Sequence, residues 1–488
     1  DFPQRQVPNM RILLASALLF AATAFATSSI EEELSHRLDL NKLKALKERI
    51  NDGIWEKLQK SPEDRKELDE LLAEIGDYKL PEDELEGDEN QINLQAGISN
   101  DLFEGDMMLT DAQLDEFEFF DPRNMTRARR QAQKGPRFPT NHWGKNPVIP
   151  FSFDRSYPNT ALNMPAIRGA IKYWEANTCI RFREGAAGAD RVKFVFGQGC
   201  YSYVGRTGGE QVVSIGNGCG SVGTVAHELA HTFGIFHVQS RNDRDSYVYV
   251  NERNINRNMM NNFDQETTSS TDNYGLPYEF GSNMHYGEGD FGLNNAEPAL
   301  VARRGYEKYQ HSMKGRLPTF YDISLVNKYY NCYDNCRNQI SCQNGGVQDV
   351  NNCNQCKCPS GWAGQLCNQR PAGTKTITVS STPQQFVVQA GQNSRSELLD
   401  FSDSYVLLQA PAGRKIRLQM NRMDGISGGD CHWGGAEVQF LRDARLAGIK
   451  FCDINRREQD VISEDNSMFI TVFNRQYTNA YTFTASLA

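Results

Sequence analysis

The sequence predicts a multidomain chain: an α+β domain organised round one histidine-bearing helix, a small disulfide-rich module, and an all-β sandwich. Three observations predict it. Three of the eight histidines fall within residues 227–237. Six of the twelve cysteines crowd into residues 336–367. Beyond them, short stretches with alternating apolar residues recur to the C-terminus. At 488 residues the chain exceeds what a single core supports. The cysteines suggest disulfides and an oxidising compartment. Of the net charge of -9, residues 31–130 carry -14 and residues 1–30 carry +1, which leaves +4 for residues 131–488. That near-neutral remainder gives no electrostatic reason to expect nucleic acid as a partner.

The helix is the stretch His227-Glu228-Leu229-Ala230-His231-Thr232-Phe233-Gly234-Ile235-Phe236-His237. Histidines four apart share one helical face, about one turn apart, where both can ligate a single ion. Gly234 falls where the helix must stop, because glycine tolerates positive φ. The turn brings His237 round as a third ligand. Three protein ligands leave a position open for water, the mark of a catalytic zinc site. Glu228 is placed beside that position as general base. A lone His pair on a helix is usually structural, but here Glu228 and Gly234 stand in register with all three histidines.

These residues form the metzincin pattern, and their context resembles the astacin family of zinc endopeptidases. Gly218-Cys219 and Gly223-Thr224 precede the helix, and Arg241-Asn242-Asp243-Arg244-Asp245 follows it. Ser282-Asn283-Met284-His285-Tyr286 matches the family's Met-turn, and Asn327-Lys328-Tyr329-Tyr330-Asn331-Cys332 matches its end. The likeness spans about residues 131–332. It implies an α+β metzincin (astacin-like) domain with one Zn2+ held by His227, His231 and His237. Glu228 would be base and proton shuttle, and Met284 an apolar floor. Tyr286 would be a further ligand that swings off to help the oxyanion. Where astacins carry Glu after the third histidine, this chain has Val238, which cannot hold the ammonium of a mature amino terminus.

From the start, Met10-Arg11 leads an apolar run ending in Ala24-Phe25-Ala26. This reads as a secretory signal cut after Ala26, with residues 1–9 upstream of the true start. The run is short for a membrane span, and no other stretch is long enough. The expectation is a secreted, extracellular protein with no membrane span. Residues 27–130 are charged and cysteine-free. Leu34, Leu38, Leu43, Leu46 and Ile50 suggest an amphipathic helix. The acidic run 81–90 reads as solvated loop, and most of this segment as flexible tail.

Phe103-Glu104-Gly105-Asp106 resembles the motif of astacin propeptides in which the Asp carboxylate binds zinc in place of water. Asp106 is thus the expected inhibitory ligand of a zymogen, with residues 27–130 as propeptide. Arg127-Ala128-Arg129-Arg130 offers a cleavage site after Arg130 for a furin-like protease. Asn124-Met125-Thr126 is a glycosylation sequon in the part removed.

In residues 131–332, 148–153 read as a strand and 165–177 as a helix with Pro165 at its start. Residues 178–182 and 192–196 read as further strands. Residues 211–215 read as the edge strand above the cleft, where a peptide substrate could pair. Resemblance pairs Cys179 with Cys332 and Cys200 with Cys219. Arg316 lies where some relatives line the pocket after the scissile bond, though a surface arginine is an equal reading.

Residues 333–370 are too few to bury a core and need staples. Their cysteine spacing resembles an EGF-like module, whose pairing would be Cys336–Cys353, Cys342–Cys356 and Cys358–Cys367. A cysteine-rich zinc site is the competing reading. Residues 371–488 resemble a CUB domain with Cys431–Cys452 as its one disulfide, serving substrate or matrix binding, or acting as a spacer. The whole resembles a secreted zinc endopeptidase acting on extracellular, matrix, cuticle or egg-envelope proteins. The alternative is a matrix-binding protein that keeps an inactive protease fold.

Overall fold

The computed structural model describes residues 40–57, 60–75, 88–118, 132–133, 141–155, 157, 163–266, 271–294, 296–392, 394, 398, 401–426, 431, 433–452 and 460–488. The signal segment, Asn124 and the site at Arg130 lie outside them.

The described parts of the segment expected as propeptide pack along the rest of the chain. Helix α1 (Leu40–Lys57) buries Leu43 and Leu46 against Leu102, Phe103, Met107 and Leu114. Helix α2 (Pro62–Ile75) buries Leu68 and Leu71. Helix α3 (Glu89–Gln95) starts at Asp88, whose Oδ1 accepts from Asn90 N at 2.7 Å. The flexible-tail reading is therefore overturned for these parts, and Asp88, Glu89 and Asn90 of the acidic run are buried. Asp88 and Glu89 pair with Lys314, and Asn90 Nδ2 donates to Asp290 Oδ2 at 2.8 Å, distant partners which local sequence does not reveal. Strand β1 (Met107–Met108), helix α4 (Asp111–Glu118) and strand β2 (Ala132–Gln133) follow.

The next part is built on a six-stranded sheet. It contains β3 (Val148–Phe153), helix α5 (Asn163–Asn177), β4 (Arg181–Glu184), β5 (Arg191–Val195), β6 (Cys200–Tyr203) and β7 (Glu210–Ile215). On α5, Ala166, Ile167, Ala170, Ile171 and Trp174 form the buried stripe expected at helical spacing. The strand expected at 178–182 starts only at Arg181. Thr178 Oγ1 donates to Trp174 O at 2.7 Å and accepts from Ile180 N at 3.2 Å, turning the chain out of α5 first.

The sheet order is β1-β6-β7-β5-β3-β4. Strand β7 lies inside it, between antiparallel β6 and parallel β5, so it is not the edge strand. Strand β6 is the one next to the cleft side, and β1 runs parallel along it, Met107 opposite Ser202. Order within a sheet is set by pairing between distant segments.

Helix α6 (Val222–Thr232) lies under the sheet against α5, where Trp174 Nε1 donates to Ala226 O at 3.0 Å. Then come β8 (Val248–Val250), β9 (Thr271–Asp272), which pairs with β2, β10 (Leu300–Ala302), which pairs with β8, and helix α7 (Phe320–Tyr329). The bonds Cys179–Cys332 and Cys200–Cys219 brace this domain.

The small module holds β11 (Val347–Asp349) and β12 (Asn352–Lys357) with bonds Cys336–Cys353, Cys342–Cys356 and Cys358–Cys367. The remainder is a two-sheet sandwich of β13 (Lys375–Thr378), β14 (Gln384–Gly391), β15 (Ser402–Gln409), β16 (Ile416–Asp424), β17 (Gly434–Gln439), β18 (Ile449–Phe451), β19 (Val461–Ile462), β20 (Ser467–Asn474) and β21 (Thr478–Leu487). One sheet is β13-β15-β20-β17-β18 and the other β14-β21-β16-β19. The inward residues include Leu408, Ile416, Leu418, Val438, Ile470 and Phe483, and Cys431 is bonded to Cys452. Arg316, offered as pocket lining, stacks instead on Phe473 and Phe401 of the sandwich, at 3.8 and 4.3 Å.

Candidate metal centre

All eleven residues of α6 are buried. Ser221 caps it, its Oγ accepting from Thr224 N at 2.9 Å. The helix ends at Phe233, and Gly234 follows at φ +97°, in the left-handed region that suits glycine. The chain then doubles back so that His237 faces His227 and His231.

The three rings converge. His237 Nε2 lies 3.1 Å and His227 Nε2 3.3 Å from Asp106 Oδ2. His231 Nε2 lies 3.5 Å from Asp106 Oδ1 and 3.0 Å from His227 Nε2. One ligand atom from each of the four residues falls within 4.8 Å of the others, and all four are buried.

The opposite ring nitrogens establish which atoms are available. His227 Nδ1 donates to Asn283 O at 2.7 Å, and His231 Nδ1 to Ile235 O at 2.8 Å. His237 Nδ1 donates to the Glu104 carboxylate at 2.7 Å. A carbonyl or carboxylate only accepts, so each Nδ1 carries a proton and each ring turns its Nε2 inward, the atom left to ligate an ion. Two lone pairs 3.0 Å apart repel unless a cation lies between them. Asp106 Oδ1 also lacks any hydrogen-bond partner among the described residues. Three imidazoles and one carboxylate are a donor set suited to zinc.

Electrostatics agrees. Burial pushes His231 down to about 4, so it is neutral. For His237 burial acts the same way, but Asp106 and Glu104 outweigh it and raise it to about 10. Burial would raise Asp106, yet the surrounding histidines hold it well below the usual carboxylate range. The site calls for positive charge at its centre.

Glu228 is fully buried, and neither oxygen has a hydrogen-bond partner among the described residues. Burial, with Asp106 and Glu89 nearby, pushes its carboxyl well above the ordinary value, as suits a group that takes up a proton. Met284 is buried in a tight turn where Met284 N donates to Ser282 Oγ at 3.0 Å. Met284 O accepts from Val238 N at 2.8 Å, tying that turn to the third ligand. Val238 itself is buried among apolar residues. Tyr286 Oη donates to Glu104 O at 2.5 Å, so the phenol is held by the backbone beside Asp106.

Sequence reasoning passed over Glu104, which sits on the third ligand, and Asn283, whose carbonyl orients the first. It also missed the partners of Lys314. This buried ammonium lies 2.7 Å from Glu89 Oε1 and also pairs with Asp88. Glu104 is at a variable position of its motif, and no signal in the chain marks the other two.

The class this fold and centre define is that of the zinc-helix metalloproteases. The peptidase-family model described as Astacin matches residues 136–331. Zinc metalloproteinase nas-17 of Caenorhabditis elegans is 32% identical over 378 residues, 77% of this chain and 83% of that protein. The chain belongs to the astacin family of zinc metalloproteinases. Zinc metalloproteinase nas-31 of the same organism is 34% identical over 407 residues, 80% of this chain, and the match spans 64% of that relative's length. Among solved structures, High choriolytic enzyme 1, a hatching enzyme zinc-protease from Oryzias latipes (Medaka fish), is 32% identical. It covers 41% of this chain and 98% of its own, with a TM-score of 0.38.

Proposed function

We propose that the chain is a secreted zymogen of a zinc endopeptidase that hydrolyses internal peptide bonds of extracellular proteins. Residues 1–26 are upstream sequence and signal, 27–130 propeptide, 131–332 protease, 333–370 EGF-like and 371–488 CUB-like. The reading is carried by the convergence of three Nε2 atoms on one centre that also takes in a pro-segment carboxylate.

His227, His231 and His237 would hold zinc, which when bound supplies Lewis-acid and water-activating chemistry. Glu228, with no competing partner, accepts the proton of the attacking water and passes it to the leaving amine. Met284 floors the site. Once Glu104 leaves, the Tyr286 hydroxyl is released to donate to charge developing on the substrate carbonyl oxygen. Asp106 keeps the zymogen silent, β1 covers the cleft edge, and cutting after Arg130 by a furin-like protease starts activity. The terminal modules bind substrate or matrix, with cuticle or egg-envelope protein as the substrate class.

The test uses the activated chain on casein or gelatin beside Glu228→Ala, with and without a zinc chelator. The expected result is hydrolysis by the wild type alone, abolished by the chelator. Equal signals from the two proteins would leave the alternative of an inactive binding protein.

A further inference from the structure

The pro-segment has a second anchor, away from the three histidines. Helix α2 lies across the β8/β10 pair, and Leu68 and Leu71 pack on Tyr249 and Val301, with Leu72 and Ile75 alongside. These residues form a small apolar cluster of their own. Val301 is wholly buried in it. Its neighbours Leu300 and Ala302 belong to the main core instead, as alternation along a strand requires.

A ring of charge surrounds the cluster. Arg253 meets Asp69 at 2.7 Å, and Arg304 meets Glu70 at 3.3 Å and Glu74 at 3.6 Å. Arg303 pairs with Asp64 and stacks on the Tyr249 ring at 4.0 Å. The Tyr249 hydroxyl lies 2.8 Å from Asp64 Oδ1 and 3.1 Å from Glu67 Oε2. Carboxylates at 64, 67, 70 and 74 share one helical face beside the leucines.

Loss of the pro-segment uncovers this surface: Tyr249 and Val301 bordered by three arginines. We infer that in the activated chain it is a docking site for an acidic amphipathic helix of a protein substrate. The occupant is defined by complementarity, because α2 shows which chemistry the surface accepts. An apolar ridge buries against Tyr249 and Val301, and carboxylates at helical spacing meet Arg253, Arg303 and Arg304. Glu252, which pairs with Lys60 at the start of the docked segment, adds one acidic point to the rim, and a uniformly anionic chain without the leucine ridge would leave the apolar pair uncovered. The inference rests on the zymogen reading above, because α2 must leave first.

The experiment uses the full chain cut after Arg130. One quenched peptide substrate is tethered by a flexible linker to a synthetic helix of residues 60–75. A second carries the scrambled sequence. The tethered helix raises the local substrate concentration, so its KM is expected to be about tenfold lower with kcat unchanged. Free 60–75 peptide cancels that advantage. The Arg253→Glu/Arg303→Glu/Arg304→Glu variant loses it while turning over the scrambled substrate normally, which shows that it is folded. Equal KM values for the two substrates, or an advantage that persists in the variant, would overturn the proposal. A gel of the cut chain separates the two readings. A pro-segment retained by the wild type and lost from the variant supports the surface but counts against release on cleavage.

Discussion

Each histidine at the centre has its outer proton committed to a specific acceptor. His227 and His231 donate to backbone carbonyls, and His237 donates to Glu104, a side chain of the proposed propeptide. On the proposed zymogen reading, two ligands are therefore oriented by residues that stay and one partly by the segment that leaves. Asp106 acts from the same hairpin, in which Phe103 and Met107 exchange backbone hydrogen bonds at 2.8 and 2.9 Å. Asp106→Ala is expected to let the uncut chain turn over a short quenched peptide, while the uncut wild type stays at background. Tyr286→Phe keeps the ring but removes the donor to the developing oxyanion. On the activated chain it should lower kcat by about a hundredfold with little change in KM, as removal of one such donor does elsewhere. Steady-state kinetics on one peptide checks both.

At the scale of elements, the hairpin at 103–107 is the part most sensitive to a single atom. Glu104 and Gly105 take φ of +46° and +86°, and a Cβ at Gly105 would stand 2.5 Å from Phe291 Cζ. Gly105→Ala is therefore strained twice, by its backbone and by the ring. It should push Asp106 off the centre and give the uncut chain a smaller share of the activity that Asp106→Ala releases. The rate of the secreted, uncut variant measures this. The hairpin also shows how far sequence carries. Histidine spacing on α6, the turn at Gly234 and the string at 282–286 are local patterns, and local geometry decides them. The cleft edge is not local: β6 borders it because β7 pairs on both sides, and a single strand's alternation does not record its neighbours. The same holds for the pair Lys314 and Asp88, which are separated by 226 residues.

At the scale of the whole molecule, the sandwich is seated on the loops that wall the centre. Ala447 N donates to Glu279 Oε2 at 2.9 Å, and Lys450 N donates to Ser312 Oγ at 2.8 Å. Lys450 Nζ also donates to Lys314 O. Gly315, next in the chain, donates to Ser282 O at 2.8 Å, and its own carbonyl accepts from the Asn283 side chain at 3.0 Å. Asn283 O in turn holds His227. The terminal domain thus reaches the first ligand through one loop and one turn.

Glu279 sits at the middle of this seat, fully buried, and burial pushes its carboxyl up to about 8, with Asp322 and Glu437 adding to the effect. A group whose folded pKa exceeds its ordinary value of 4.5 contributes stability that is complete below that value. The contribution fades as pH rises towards about 8, because the folded chain must then bury a charge beside two other carboxyls. The thermal midpoint of the full chain should therefore fall as pH is raised from about 5 to about 8, and proteolytic release of the sandwich should quicken over the same interval. Glu279→Gln, which does not ionise, is expected to flatten both slopes, although its amide meets Ala447 N less well and lowers the midpoint throughout. A slope that survives the substitution would place the titrating group elsewhere in the seat, with Asp322 next to test because it too is buried and raised.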